Sequence, residues 1–466
     1  MSARSVFRQR IAMGIGDRRV IEAVHRVTLH KMQAVADAMS SFRNHEAVRE
    51  LAARIRQHTL DKLPEYLEQF AAAAERQGTR VHFAADADAA RRVVCEIARA
   101  SGARLAVKSK SMTTEEVHLN AALEEIGVRT VETDLGEFIV QIDHDRPSHI
   151  VTPIIHKDRQ QIAWALARET GCEYTEDPGE LTAHARRHLR DMFRRCDLGI
   201  SGVNFAVAET GTLCICTNEG NGRMTVTRPR VHVALMGIEK LVPRLCDLAV
   251  MLKLLARSST GQPLTVYTTL VSGPRRPTDR DGPEELHVVL LDNRRSDLLG
   301  GPLSEVLRCI RCGACLNACP VFRNIGGHAY GSVYPGPIGS LVTPLLGGLF
   351  EHAELPRASS LCGACTVACP VKIEIPELLV KLRALTRSRQ TLAKRLGMRI
   401  WRWAVGSATV FDWCQRSMRW FLRPNRDGWV GRGPGPVRAW TKLRDLPPLP
   451  ARSFRRRWRE DLRDTD

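Results

Sequence analysis

No stretch of about eighteen apolar residues occurs in this 466-residue chain, which argues against a membrane-spanning helix. The start carries Arg4, Arg8 and Arg10, but no apolar run follows them, so a secretory signal is not expected. There is no G-x-G-x-x-G fingerprint and no P-loop, so no nucleotide cofactor is named by motif. No Ser/His/Asp hydrolase signature is visible either. No proline precedes Pro64, which leaves the first 63 residues free of a proline break in helices. The last gap is a single cysteine, and it matters because of the seven that surround it.

Those seven read C-x2-C-x2-C-x3-C-P (Cys309, Cys312, Cys315, Cys319, Pro320) and then C-x2-C-x3-C-P (Cys362, Cys365, Cys369, Pro370). This is the ligand spacing of a two-cluster bacterial ferredoxin, in which the last cysteine of each run crosses to the other cluster. Cys309, Cys312 and Cys315 are thus expected to share one [4Fe–4S] cluster with Cys369, and Cys362 and Cys365 to share a second with Cys319. Zinc sites seldom use such a doubled run. Gly313 and Gly363 fall where the backbone must pass close to a cluster. A complete second run would place a cysteine at position 359, which is Ser359, with Ser360 beside it. The second centre therefore has three evident cysteine ligands. The readings are a labile [4Fe–4S] site closed by serine, water or substrate oxygen, a [3Fe–4S] centre, or a fourth cysteine from elsewhere. Cys95, Cys172, Cys196, Cys214, Cys216, Cys246 and Cys414 leave the last reading open. Cluster spacing without a secretion signal points to the reducing cytoplasm.

The length allows two or three domains, and four regions are expected. Residues 1–80 form a helical segment, with Val20, Val24, Val27 and Met32 near helical spacing. Residues 81–295 alternate short strands and helices, as in a parallel sheet covered by helices. Strands are expected at Arg104–Val107, Val128–Glu132, Leu198–Val203, Leu213–Thr217, His232–Met236 and Val288–Leu291, and one helix over Thr113–Ile126. Residues 300–385 form the cluster domain, with a Gly/Pro-rich insert at Gly326–Gly348 and a helix over Ile375–Leu385. Residues 386–466 form a basic Trp/Arg-rich region. From Lys381 to Asp466 there are 22 Lys or Arg and 7 Asp or Glu, so this stretch holds +15 of the formal +18. Seven of the eight tryptophans lie there too. Such a tail meets something acidic or lipidic: an anionic membrane face, where tryptophans sit at the interface, a docking surface, or nucleic acid.

Two polar segments stand out before the cysteines. One is Lys108-Ser109-Lys110-Ser111 at a strand end. The other is Glu209-Thr210-Gly211-Thr212, followed by Asn218-Glu219-Gly220-Asn221-Gly222-Arg223. Ligands gather at the strand ends of parallel sheets. Lys108, Lys110 and Arg223 are candidate holders of a carboxylate or phosphate, and Glu209 is a candidate base. Turn chemistry and surface charge are the plainer account of both segments. His156 and His328 are the histidines nearest these sequences, and a lone histidine is more often structural than a ligand.

The cysteine runs, the insert Gly326-Gly-His-Ala-Tyr-Gly-Ser-Val-Tyr-Pro-Gly-Pro-Ile-Gly and the segment from Ser359 resemble the iron–sulfur subunit family of bacterial L-lactate utilisation complexes. The Glu209 and Asn218 segments look like that family's lactate-utilisation domain, and the likeness covers nearly the whole chain. That family also shows seven cysteines here. The resemblance implies an α/β domain similar to sugar-phosphate isomerases and CoA-transferases. It implies an α-helical ferredoxin-type two-cluster domain after it, and then the basic helical tail. It implies two partners, a CCG-repeat subunit and a small lactate-utilisation-domain subunit. It also implies oxidation of L-lactate to pyruvate without an obvious flavin, this chain carrying electrons. Another 2-hydroxy acid such as glycolate fits the cluster motif equally.

Overall fold

The computed structural model describes residues 3–387 and, beyond them, 392–422, 427–431, 433, 435, 437–441, 444–448, 450 and 452–462. The chain divides into two compact units, Met1–Thr386 and Arg387–Asp466.

Four helices open the first unit: Ala3–Gly16, Arg18–Ser40, His45–Asp61 and Leu63–Arg76. Asp17 caps the second, accepting from the Val20 N–H. Pro64 stands in the first turn of the fourth, where no donor is missed. Ten strands follow: β1 (Arg80–Ala84), β2 (Leu105–Lys108), β3 (Arg129–Glu132), β4 (Leu198–Gly202), β5 (Phe205–Val207), β6 (Thr212–Thr217), β7 (Val231–Gly237), β8 (Leu241–Val242), β9 (Tyr267–Val271) and β10 (Glu285–Leu291). Six form a sheet in the order β1-β10-β7-β4-β2-β3, and every pairing in it is parallel. β7 and β10 are almost wholly buried, as central strands covered on both faces must be. Along β10 the pleat sends Val289 and Leu291 to one core, with Val94 of the helix Ala87–Ala100. Leu286, Val288 and Leu290 go to the opposite core with Phe70.

Two sequence expectations change here, and one helix was not expected. Thr212–Thr217 is a strand, but it belongs to a second, mostly antiparallel sheet, β8-β5-β6-β9. The helix expected over Thr113–Ile126 is two, Met112–Glu116 and Leu119–Glu125, broken at His118 with φ +53°. Val117 and Leu119 are both fully buried, and an unbroken helix would aim them to opposite sides. The Gly/Pro-rich insert holds a helix, Gly336–Gly347, buried along Gly336–Leu346.

The cysteine segment does not have a core to itself. Leu316, Phe322 and Leu341 pack in one cluster with Val24 and Ile55 of the N-terminal helices, and with Phe205 of the second sheet. In the second unit, helices Leu392–Gly406 and Ala408–Phe421 form the main described elements. The Pro/Gly-rich stretches at 431–436 and 447–450 lie partly outside the described residues.

Candidate iron–sulfur centre

The two cysteine runs fold as copies of one another. Gly-Ala-Cys-x-x-Ala-Cys-Pro occurs at Gly313–Pro320 and again at Gly363–Pro370. Each copy begins with a left-handed glycine, φ +77° at Gly313 and +82° at Gly363, and continues as a five-residue helix to its last cysteine. Arg311 and Leu361, each just before the second cysteine of the pattern, are left-handed too. The turns aim backbone N–H groups at sulfur. Arg311 N donates to Cys309 Sγ, Phe322 N to Cys319 Sγ and Ile373 N to Cys369 Sγ, each at 3.4 Å.

Cys309, Cys312, Cys315 and Cys369 line one small cavity of about 20 Å³, with Ile310, Ile338 and Ile373 among its other walls. Their charges bear on one another, whereas Cys319, Cys362 and Cys365 form a separate group. Burial pushes the Cys365 and Cys369 thiols up to about 11, and raises Cys312, Cys315 and Cys319 as well. Cys362 is exposed. Its thiol is lowered by the Ala364 N–H and then by the Ser360 hydroxyl. Ser359 Oγ instead accepts from Leu361 N at 3.1 Å. Close-set thiols, apolar walls and N–H donors to sulfur fit an iron–sulfur centre. Loading it must release the thiol protons.

A buried charge network that the sequence reading missed stands behind Cys309. Arg56 and Lys240 are buried and feel the Cys309 charge. Arg56 donates to the carbonyls of Leu241 (2.7 Å), Leu307 (2.9 Å) and Glu239. Arg311 stacks over Tyr334 at 4.6 Å and lies 3.7 Å from Glu239. Arg295 binds Glu239 at 2.6 Å and Glu116 at 2.9 Å, and the Tyr334 hydroxyl donates to Glu116 at 2.6 Å. Four cations thus meet two carboxylates, an excess of positive charge suited to a cluster of thiolates. Only Arg311 lies inside the cysteine motif; the others had no signal in the sequence.

The other candidates are placed apart. Lys108 is buried at the end of β2, with Glu115 and Glu132 each at 2.7 Å and Thr114 at 3.0 Å. Burial alone would lower its pKa, but the two carboxylates hold it above the usual lysine value. Arg223 is exposed on the helix Asn221–Thr227. Glu209 is exposed and accepts from Leu245 N at 3.2 Å. It lines a surface groove of about 660 Å³ with Arg54, His58, Tyr66 and Arg244. No hydrogen bond or ion pair joins Lys108, Glu209 and Arg223 among the described residues. His156 and His328 do come together, their rings 4.4 Å apart around Asp145. Asp145 accepts from His156 at 2.8 Å and is already neutralised by Lys157 at 2.7 Å.

Comparison with known proteins agrees with this layout. Residues 67–291 match the LUD domain, residues 305–373 a 4Fe-4S dicluster domain, and residues 380–462 the C-terminal part of lactate utilisation protein B. Lactate utilization protein B of Bacillus cytotoxicus is 44% identical over 468 residues, covering 99% of this chain and 98% of that one. Lactate utilization protein B 1 of Bacillus mycoides is 45% identical, covering 99% and 97%. Lactate utilization protein B of Bacillus licheniformis is 43% identical, covering 98% and 97%. A crystal structure of a DUF162 family protein from Deinococcus radiodurans covers 49% of this chain and 98% of its own, at 13% identity and a TM-score of 0.29, too distant to bear on the fold. With a mixed α/β domain built on a parallel sheet, a ferredoxin-like 4Fe-4S region after it, and relatives matched end to end, the chain belongs to the lactate utilization protein B family.

Proposed function

We propose that this chain is the iron–sulfur electron-transfer subunit of a complex that oxidises L-lactate to pyruvate. The observation that carries the reading is the gathering of seven thiols into two sets. One is mostly buried, with Cys309 partly exposed, and the other reaches the surface at Cys362. Lactate oxidation releases two electrons, and iron–sulfur centres supply carriage of one at a time. Cys309, Cys312, Cys315 and Cys369 would hold one [4Fe–4S] cluster; Cys319, Cys362 and Cys365 would hold the second, with the Ser360 hydroxyl hydrogen-bonded to Cys362. Arg56, Lys240 and Arg311 set positive charge against the first set. The walls around it are apolar.

Further parts of the reading rest on family likeness. The α/β domain is of the sugar-phosphate isomerase and CoA-transferase kind, supported by its six-stranded parallel sheet. The cluster domain is of the α-helical ferredoxin type, supported by its short helices. A CCG-repeat subunit and a small lactate-utilisation-domain subunit complete the complex, which works in the cytoplasm, peripheral to the membrane through the basic tail.

The test is anaerobic EPR with iron and sulfide counts on the purified chain. About eight iron and a reducible, coupled signal are expected. About seven iron with an oxidised [3Fe–4S] signal would keep the reading and mark the second centre as open. Zinc without iron would overturn it. Growth of a deletion strain fixes the substrate: loss on L-lactate is expected, and loss on glycolate alone would move the assignment to that acid.

A further inference from the structure

The crevice at the carboxyl ends of β2 and β4 holds cations that the charge network behind Cys309 does not use. β2 and β4 are neighbours, and the sheet order sends the chain from β2 out to β3 but from β4 the other way to β7. Such a switch point opens a crevice above the strand ends, and open α/β sheets bind ligands there. Lys108-Ser109-Lys110-Ser111 runs through it, with Ser109 N still bonded to Ile200 O at 2.9 Å. The Lys108 ammonium is saturated by its two carboxylates and Thr114.

Lys110 differs. Its Nζ is buried and makes no hydrogen bond among the described residues. The nearest carboxyl oxygen, Glu137 Oε1, lies 3.7 Å away and is itself buried without a hydrogen bond. A buried ammonium and a buried carboxyl oxygen left so are costly unless something else satisfies them. A second lysine comes in from the N-terminal helix Arg18–Ser40. Lys31 Nζ donates to Thr152 Oγ1 and has no carboxylate partner among the described residues. The charges of Lys31 and Lys110 both act on His149. That ring is fixed neutral: Nδ1 accepts from Val151 N (3.0 Å) and Thr152 N (3.1 Å), and Nε2–H donates to Asn317 Oδ1 at 3.2 Å. Asn317 lies between Cys315 and Cys319, and the ring also abuts Gly313. One wall of the crevice is therefore the cysteine segment.

We propose that Lys110 and Lys31 form a binding site for the carboxylate of a small 2-hydroxy acid, in the crevice above β2 and β4 and beside the Cys312–Cys319 segment. The proposal rests on the lactate reading for its substrate class. Two ammonium groups without a planar guanidinium suit a small carboxylate held by charge. The Glu137 carboxyl, pushed up to about 8 mainly by burial, adds an uncharged hydrogen-bonding group for the acid's hydroxyl or keto oxygen. Burial, with Lys110 next, also lowers Lys31 to about 8, and a bound carboxylate would raise it again.

The test is calorimetric titration of L-lactate, pyruvate and inorganic phosphate into the full, iron-loaded chain under anaerobic conditions. K110M and K31M are expected to weaken L-lactate and pyruvate binding at least tenfold, with iron content and EPR spectrum unchanged. K110R keeps the charge and is expected to bind within about threefold of the parent. K62M removes an exposed lysine paired with Glu65 and is expected to change nothing. Parent-like binding by both K110M and K31M would overturn the site, as would a parent chain that binds neither acid. Phosphate bound more tightly than lactate would overturn the carboxylate assignment. Failure of the electron-transfer reading shows separately, as zinc in place of iron.

Discussion

At Gly313 a single hydrogen atom decides how closely the α/β domain can approach the cysteines. A Cβ there would stand 3.2 Å from Val151 Cγ2 and 3.3 Å from His149 Cε1, and the backbone is left-handed. Gly363, its counterpart in the second copy, is equally left-handed but has nothing within 4 Å. G363A is thus expected to cost about 1–2 kcal/mol from backbone strain alone, and G313A that amount plus displacement of the His149 loop. Thermal unfolding under anaerobic conditions should place G313A below G363A; matching midpoints would mean the His149 contact is slack. The cysteine spacing marked both glycines as positions near a cluster, but not the approach of Gly313 to Val151 and His149. His149 was not, because nothing in its neighbourhood of sequence marks a partner in another element. Lys108 shows the same limit. Its place at a strand end could be read, but Glu132 reaches it through the β2–β3 register and Glu115 through the following helix turn.

Elements carry the charge network, because its members come from several of them. Glu116 ends the short helix before the break at His118, Glu239 follows β7, Arg295 follows β10 and Tyr334 leads into the helix Gly336–Gly347. Arg295 is buried and holds both carboxylates, so R295M would strand the buried Glu116 and leave Glu239 to Arg311 and Lys240. A loss of about 3–5 kcal/mol is expected, with part regained in R295M/E116Q; denaturant unfolding measures both. Burial alone would raise Glu239, but Arg295 first, then Lys240 and Arg311, depress it to about 2. A depressed carboxylate contributes stability that is complete above its unfolded value near 4.5 and drains as pH falls toward about 2. The parent should therefore show an acid-side slope in this window that R295M largely lacks, read from unfolding at a series of pH values. The sequence concealed these elements for physical reasons. No element was expected in the Gly/Pro-rich insert, yet its glycine serves packing: a Cβ at Gly336 would meet Leu316 Cγ at 2.6 Å. The second sheet was hidden because the periodicity of β6 gives a strand but not its partners.

For the whole molecule, the order of regions along the chain was legible and the sharing of cores was not. The N-terminal helices carry an ordinary amphipathic pattern, which cannot say that Val24 and Ile55 will pack against Leu316 and Phe322. All seven cysteines of the two runs lie in the first unit, Met1–Thr386, and the second unit adds only Cys414. A chain ending at residue 386 is therefore expected to keep its full iron content. What it should lose is surface binding. No described helix is long and apolar enough to cross a membrane. The helices Leu392–Gly406 and Ala408–Phe421 nonetheless expose Trp401, Trp403, Trp413 and Phe421, with Arg399 and Arg402 exposed beside them. Interleaved arginine and tryptophan suit an anionic interface, where charge attracts and the rings anchor. The full chain should float with anionic liposomes and less so with neutral ones, and rising salt should weaken the attraction. The truncated chain should remain at the bottom of the gradient with its clusters intact. Equal flotation of the two forms would remove the membrane and leave those helices as a docking face for the partner subunits.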